Sequence, residues 1–348
     1  YLGNVMHSDG EILTRNMPYD PAVINDEGHI YLYYGFAPHF ATHGESKECP
    51  GCSFVELCDD MLTIKGEPEI ILPARKHAKG TEYEGHAFFE AASIRKIEGT
   101  YYLVYCSEWG HELCYATADK PQGPYAYRGV IISNADIGYL GREDGVWSPS
   151  NNHGGIARLG SEYYIFYHRH THGTMYCRQG CAERIRIGAD GQIAQVEMSS
   201  MGLYGNPLPT DRAYPASICC NLIGASGCKP PVFGRKLEDV PIVDSENHEQ
   251  YIKGVDAGSV MGYKYFDFQG ETRVKIFYRG SGTGKFVLGS DEKMENVLGE
   301  MEIAESTTWT GTETKIFVKG TSALFFRYEG SGSVDVKTLQ LDMNGKYA

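Results

Sequence analysis

Three polar side chains recur at a similar place ahead of three similar strand pairs. They are Asp20, Glu90 and His153. Each strand pair turns at a glycine, and these turns are spaced by roughly 60 to 70 residues along the chain, at Gly28, Gly99 and Gly160. Carboxyl and imidazole groups are the usual carriers of protons in enzymes, so a fold that brings the three together could perform acid–base catalysis.

Glu90 has the most informative local surroundings of the three. It directly follows Phe88 and Phe89. Because apolar rings deprive a carboxyl group of water, its neutral form is favoured and we expect a raised pKa. A carboxyl that keeps its proton near neutral pH can act as a general acid. The alternative is an ordinary surface acid at the end of a strand.

The strand pairs must position these groups. They cover residues 20–34, 88–105 and 152–167, and their second strands are rich in aromatic and β-branched residues. Repeats of this length built from short strands are typical of β-propeller blades. Since the innermost strands of a propeller line its central channel, equivalent positions of successive blades converge there. The prediction is therefore that residues 20, 90 and 153 meet at one axis.

The composition supports an all-β chain and excludes some partners. The 348 residues include 25 Tyr, 14 Phe and 42 Gly, with strand and turn patterning throughout. A net charge of −13 argues against nucleic acid and anionic membranes as partners. The sequence also contains no apolar run of membrane-spanning length.

Ten cysteines bear on the compartment and on metal binding. Many lie in strand-like settings where buried thiols are common, so we expect free thiols and a reducing cytoplasm. A signal peptide removed upstream would instead predict secretion. Cys49 and Cys52 have the spacing of zinc ligands, but with Cys58 as the only similar neighbour they form an incomplete zinc site.

The chain is predicted to contain three segments. Residues 1–204 form part of a propeller, with about three to four blades present. Residues 205–235, rich in Pro, Gly and Cys, form a linker on the surface. Residues 236–348 alternate as short strands separated by glycine turns, which predicts a β-sandwich (jelly roll). Residues 1–16 are similar to the stretch that closes the Glu90 blade, and we expect them to form the last strand of a blade.

Several aromatic and histidine side chains are further candidates. Trp109 lies at a strand end, where it could stack on a sugar or pack in the core. Three other aromatic residues are weaker candidates, and each could likewise stack on a sugar or pack in the core: Phe36, Trp147 and Trp309. Alternating histidines share one face of a strand and could hold a metal or hydrogen-bond near a sugar, at His168, His170 and His172.

Three short motifs in this order resemble glycoside hydrolase family 43. They are Asp20-Pro21 before a strand pair, Phe89-Glu90 leading into Ser93-Ile94-Arg95-Lys96, and Asn151-Asn152-His153-Gly154 followed by Tyr167-His168-Arg169. Residues 236–348 resemble a family 6-type carbohydrate-binding β-sandwich. Two stretches carry that second resemblance, Gly262 to Phe268 and Ala323 to Gly330.

The first resemblance implies a five-bladed propeller that cleaves arabinosyl or xylosyl linkages of plant glycans with inversion. It implies that Glu90 is the general acid and that Asp20 tunes and orients it. His153 would correspond to an axial histidine near a central calcium ion or water cluster. Arg169 would lie near the catalytic carboxylates. Apart from the resemblance, Phe36 and Phe89 are candidates for contact with the arabinose- or xylose-containing oligosaccharide.

One catalytic group that the resemblance requires is not found in the chain. Inversion needs a second carboxylate, acting as base on water, roughly 6.5–9.5 Å from the acid. In the family this Asp comes from the first blade, so we expect an upstream segment of the same polypeptide to supply it. Two alternatives follow if it does not: a non-catalytic carbohydrate-binding protein, or a propeller enzyme that cleaves with phosphate.

Overall fold

The structure is a computed structural model, and it describes residues 1–38, 49–231, 237 and 240–343. Strands dominate these residues, and helix is limited to short turns. The α-helical turn α1 covers Arg75–Ala78, and 3₁₀ turns cover Tyr139–Gly141, Gly202–Tyr204 and Ala216–Ile218. Within the described ranges, no helix combines the length and the apolar character needed to cross a membrane. The predicted all-β fold class is confirmed.

The first sheet contains four antiparallel strands in sequence order. They are β1 (Ala22–Asp26), β2 (His29–Tyr34), β3 (Gly51–Leu57) and β4 (Ile64–Pro73). The β1–β2 turn uses Glu27 and Gly28, both at positive φ. Two successive residues at positive φ make the tight turn that matches the twist of a hairpin. The predicted first strand pair is therefore present, with its turn at the predicted glycine.

The second sheet repeats this arrangement. Its strands are β5 (Phe88–Ile97), β6 (Thr100–Ser107), β7 (Glu112–Ala118) and β8 (Ala126–Ser133). Glu98 and Gly99 form the β5–β6 turn, again both at positive φ. The repeat seen in the sequence is thus a repeat of one structural unit, the four-stranded meander of a propeller blade.

The third sheet has three strands, in the order β11–β10–β9. They are β9 (Gly155–Leu159), β10 (Glu162–His170) and β11 (Arg178–Ile185). The third predicted strand pair is present as β9 and β10. The count of five blades stays a prediction.

Residues 1–16 differ from the expectation of a closing strand. Met6 makes only isolated bridges, to Ile12 and to Thr63. A turn closed by the Gly10 N–H on the His7 carbonyl interrupts the stretch, so a continuous strand cannot form. Backbone hydrogen bonds to Leu62 and Ile64 nevertheless place Met6 beside the start of β4.

The remaining strands form one large sheet. They are β12 (Leu208–Pro209), β13 (Ala213–Pro215), β14 (Asn221–Ile223), β15 (Ile242–Glu246), β16 (Glu249–Asp256), β17 (Val260–Gly280), β18 (Thr283–Gly289), β19 (Val297–Ile303), β20 (Ser306–Ser331) and β21 (Ser333–Met343). The main order is β15–β16–β21–β17–β20–β18–β19. Strands β12 and β14 add to β17, and β13 adds to β21.

The prediction of short strands separated by glycine turns is wrong for strand β20, which covers both 315–318 and 324–328 without a break. Gly320 lies between these stretches at φ 82°. Pairing with β17 continues through this glycine, with Gly320 opposite Phe268 and Thr321 opposite Asp267. The long-range pairing therefore overrides the local turn signal.

The chain divides into two compact units that alternate along the sequence. The first contains residues 1–133, 151–168 and 184–196, and the second contains residues 134–150, 169–183 and 197–348. The predicted boundary between residues 235 and 236 lies outside the described residues. The predicted domain limits at residues 204 and 235 stay predictions, because this division into units does not test them.

Each unit has an aromatic-rich core. In the first unit it includes Tyr33, Leu72, Phe88 and Tyr105, all fully buried. In the second unit the rings of Phe286 and Phe326 meet edge to face at 6.1 Å, and further rings extend this packing, namely Tyr263 and Tyr328. Edge-to-face pairs of this kind add to the stabilisation that burial provides.

Candidate active site

Glu90 lies on β5 opposite Cys106 of β6. The strand register shifts on both sides of it, and the next residue, Ala91, has φ 65°. Such bulges are common beside active sites because they redirect a side chain out of the regular alternation. The side chain of Glu90 is nearly buried, with 6% of its surface exposed. The bulge therefore turns a carboxyl group toward a desolvated position.

Three aromatic rings lie in series beside this stretch. Phe89, the residue before Glu90, is buried, and its ring centroid lies 5.4 Å from that of Phe36. The Phe36 ring in turn lies 5.0 Å from Tyr19, which is 53% exposed. A series of three rings thus runs from the buried Phe89 to solvent. Flat apolar surfaces of this kind suit the faces of sugar rings.

Asp20 lies just before β1, in a left-handed conformation with φ 45°. Its Oδ2 atom is 3.5 Å from Nδ1 of His153, and both side chains are partly exposed. The Tyr19 carbonyl accepts a hydrogen bond from the N–H of Gly35 at 3.1 Å, which attaches this segment to the end of β2. The first and third strand pairs therefore meet through a carboxylate and an imidazole.

Asn151 completes the connection to Glu90. Its Nδ2 atom donates a hydrogen bond to Glu90 Oε1 at 3.3 Å. The neighbouring Asn152 is fully buried; its side chain donates to the His111 carbonyl and accepts from the His168 N–H. This buried amide holds the segment that carries Asn151 and His153 in one position.

Gly154 fixes the same segment by close approach. A Cβ atom placed there would lie 1.8 Å from the carbonyl oxygen of Phe166. No larger residue fits, so the main chain after His153 passes directly against the third sheet. The Asn-Asn-His-Gly motif therefore combines polar contacts of three side chains with one steric requirement.

The segment 151–153 joins the three predicted positions. Asn151 donates to Glu90, and His153 lies 3.5 Å from Asp20. The fully buried Cys106 thiol belongs to the residue opposite Glu90. Burial, followed by the charge of Glu90, raises the pKa of Cys106 well above its ordinary value, and Glu112 and Asp20 act in the same direction. Residues 20 and 90 are thus both connected to the segment that carries His153.

Trp109 lies in the β6–β7 turn and is 59% exposed. Its Nε1 atom donates to the Gly85 carbonyl at 2.6 Å, which fixes the orientation of the indole ring. The exposure excludes core packing, the alternative raised from the sequence. An oriented and exposed indole is available for stacking, while its contact with a sugar stays a prediction.

Trp147 and Arg169 belong to the second unit and are buried, with 2% and 4% exposed. The Arg169 guanidinium lies 3.9 Å from the centroid of the Trp147 ring. It also donates to the backbone carbonyls of Ser217 and Cys219. These contacts favour a structural role for the pair. Their predicted part in substrate binding stays a prediction.

Trp309 lies half-buried on the large sheet, where it is neither core nor free surface. Its ring packs edge to face on Tyr251 at 5.7 Å, and the Arg279 guanidinium lies 4.4 Å from its centroid.

The predicted calcium position offers few oxygen ligands from the protein. Calcium takes six to eight oxygen ligands, whereas His153 and Asp20 offer one carboxylate and one imidazole, so water would have to supply most of the shell. These residues do not form a protein cage for calcium, and no catalytic step is assigned to such an ion. Among the residues that the structure describes, the only three clustered ligand side chains are His86, Glu112 and Cys114.

The other predicted metal sites do not assemble. All ten cysteines lie within the described ranges and each is a free thiol. Cys49 donates to the carbonyls of Asn16 and Gly51. His170 contacts the Thr174 carbonyl, and the ring nitrogens of His172 contact hydroxyl groups of other residues.

Three residues of the site had no role assigned from the sequence. Tyr19 supplies the exposed end of the aromatic series, and Asn151 and Asn152 join Glu90 to the third strand pair. The pair of adjacent asparagines before a glycine was the available signal. It indicates a polar loop, but only the folded chain shows which groups the amides contact.

Comparison with known proteins gives one family match. The model of "Glycosyl hydrolases family 43" matches residues 7–193. The chain is 40% identical to a xylosidase/arabinosidase of Thermoclostridium stercorarium over 98% of this chain and 74% of that protein. It spans between 52% and 61% of the other curated relatives that it matches.

Two solved structures are similar in part. A family 43 arabinoxylan arabinofuranohydrolase from Bacillus subtilis, in complex with cellotetraose, is 20% identical and has a TM-score of 0.47, covering 94% of this chain and 67% of that chain. A family 6 carbohydrate-binding module from Clostridium stercorarium, in complex with cellobiose, is 15% identical and has a TM-score of 0.33. That match covers 40% of this chain and 99% of the module.

Proposed function

The chain belongs to the glycosyl hydrolases of family 43, and on this premise we propose that it hydrolyses arabinosyl or xylosyl bonds of plant hemicellulose oligosaccharides. The observation that supports the proposal is that Glu90 and Asp20, from two strand pairs, each contact one segment of the third, at Asn151 and at His153. The name of the Thermoclostridium stercorarium relative, xylosidase/arabinosidase, supports this substrate class.

Glu90 is the proposed general acid, which donates its proton to the oxygen of the departing group. Its near-complete burial removes hydration that would favour the charged form. The Asn151 amide donates to one carboxyl oxygen of Glu90 and so restricts the orientation of the group. A fixed carboxyl group is needed because proton transfer depends on geometry before acidity.

Asp20 is the proposed partner that orients and tunes Glu90. Its contact with His153 holds its carboxylate toward the third strand pair. Inversion further requires a base carboxylate roughly 6.5–9.5 Å from the acid. The upstream Asp expected from the sequence remains the proposed source of that base.

Replacement of the acid tests the proposal. In a chain supplied with the upstream segment, we expect Glu90→Gln to lower kcat/KM on arabinosyl and xylosyl oligosaccharides by about 10²- to 10⁴-fold, because protonation of the leaving oxygen is lost. The loss should be smaller for aryl glycosides, whose leaving groups need less protonation. Glu98→Gln, at the tip of the same β5–β6 hairpin, is the matched control and should retain activity.

The same assays separate the alternatives. Sugar binding without turnover, in a chain supplied with the upstream segment, would support the non-catalytic carbohydrate-binding protein. Product formation that depends on phosphate would support the phosphorolytic enzyme. Equal losses for natural and aryl substrates in Glu90→Gln would contradict the role of Glu90 as the proton donor.

A further inference from the structure

A second cluster of reactive side chains lies in the second sheet. It consists of His86, just before β5, and of Glu112 and Cys114 on β7. The His86 Nδ1 atom is 3.0 Å from Glu112 Oε2. The Cys114 Sγ atom is 3.8 Å from the same oxygen and 4.0 Å from the same nitrogen. The family reaction has no need of this nitrogen–oxygen–sulfur set.

The spacing of these three atoms suits a metal ion. Zinc binds sulfur at about 2.3 Å and nitrogen or oxygen at about 2.0–2.2 Å, so tetrahedral ligand atoms lie about 3.4 to 3.6 Å from one another. The observed separations are within about half an ångström of these values. Rotation of the side chains by a small amount would place all three atoms on one ion.

We propose that His86, Glu112 and Cys114 bind a thiophilic divalent transition-metal ion such as Zn²⁺, with the fourth position taken by water. A donor set of imidazole, carboxylate and thiolate is one that zinc accepts and that calcium and magnesium avoid. The His86 side chain is 34% exposed, which provides a route for the ion and for the water ligand.

Neighbouring groups already hold these ligands in place. The Ser107 hydroxyl donates to Glu112 Oε2 at 2.7 Å. The Tyr127 ring stacks on the His86 imidazole, with centroids 5.3 Å apart and planes 15° apart. Partners that orient ligands in this way are a regular feature of metal sites. The cluster is therefore built before any ion arrives.

The metal must compete with an existing arrangement. Without it, the His86 imidazole lies 3.0 Å from the Glu112 carboxylate, and the buried Cys114 thiol lies 3.8 Å from the same oxygen. Metal binding would release the thiol proton and place a cation between the three groups. The ion would link the residue before β5 to β7, so we expect the bound protein to melt at a higher temperature.

Cobalt is the probe for the test, because Co²⁺ bound by thiolate absorbs in the near ultraviolet whereas bound Zn²⁺ gives no such absorption band. The full chain is treated with chelator and reductant and then titrated with Co²⁺. We expect one equivalent to produce the thiolate–cobalt band and to raise Tm, and Zn²⁺ to abolish the band by displacement. Absence of a saturable band would overturn the proposal.

Matched variants identify the site. Cys114→Ser should lose the band, whereas Cys106→Ser, an equally buried thiol on the neighbouring strand, should keep it. Should Cys114→Ser fail to fold, His86→Ala serves instead: its imidazole is partly exposed, and its loss should weaken Co²⁺ affinity at least tenfold. A band that survives both changes but disappears in Cys52→Ser would assign the metal to the Cys49–Cys52 pair and overturn the proposal.

Discussion

Glu90 and Asp20 come from different strand pairs, and each influences the same buried thiol. The residue type alone does not mark either acid as part of a site. The bulge at Ala91 and the amide of Asn151 decide where the Glu90 carboxyl points. At the scale of single residues, the orientation of the Glu90 carboxyl group thus matters as much as the residue type.

Trp109 allows a test of sugar recognition at this scale. Because the indole is exposed, Trp109→Ala should change Tm little, but removal of a stacking surface should raise KM about three- to tenfold with kcat preserved. Steady-state kinetics on xylosyl and arabinosyl oligosaccharides measure this. Trp309→Ala, on the large sheet, is the control and should leave KM on short substrates unchanged. An unchanged KM in Trp109→Ala would remove this residue from the binding site.

At the scale of elements, an ion pair links the first two sheets. The Lys96 Nζ atom, on β5, lies 2.8 Å from both carboxylate oxygens of Asp26, at the end of β1. The Tyr101 hydroxyl of β6 donates to the same carboxylate. The hydrogen bond from Lys96, then that from Tyr101, lowers the pKa of Asp26. An ion pair therefore joins the first two sheets beside the β1–β2 and β5–β6 turns.

This pair predicts a pH dependence of stability. Since its pKa is lowered on folding, Asp26 contributes stability above the unfolded value of about 3.9, and that contribution is lost as pH falls through the folded pKa. We expect Asp26→Asn to lower Tm at pH 7, with the difference from the native chain becoming smaller as the pH falls below about 3.9. Thermal melts across pH measure it. Glu27→Gln, the neighbouring exposed acid, should show no such convergence, and a difference that persists at low pH would contradict the account.

At the scale of the whole molecule, the second unit collects segments that are far apart in the sequence. Arg169 donates to the carbonyls of Ser217 and Cys219, and the Leu222 N–H donates to the Val146 carbonyl. Lys264 forms buried ion pairs with Asp136 and Glu197. The packing of residues 134–150 and 169–183 thus depends on residues that follow position 204.

Truncation tests this dependence. A chain of residues 1–204 should fail to give a soluble protein with a cooperative melt, because Arg169 and Asp136 would lose the buried partners named above. Soluble yield, circular dichroism and thermal melting of this chain, compared with the full chain, provide the measurement. A cooperative transition at the Tm of the full chain would show that residues 1–204 fold independently.

The sequence alone was sufficient for the repeated strand pairs. Alternating aromatic residues around glycines 28, 99 and 160 report the strands and their turns, because side-chain alternation and positive φ are local requirements. The aromatic neighbours of Glu90 and the recurring polar position before each pair also identified Asp20, Glu90 and His153 as one set. The position of a residue within each repeat carries this information even when the fold is not known.

Only the tertiary structure decided what these groups contact. The hydrogen bond from Asn151 to Glu90 joins residues 61 positions apart, and nothing local to either residue specifies it. The same holds for the continuous strand β20, where pairing with β17 carried the chain through Gly320, and for the burial of Trp147 beneath Arg169. Sequence patterns report what a segment prefers by itself, whereas contacts between distant segments arise from the packing of the whole chain, which selects among those preferences.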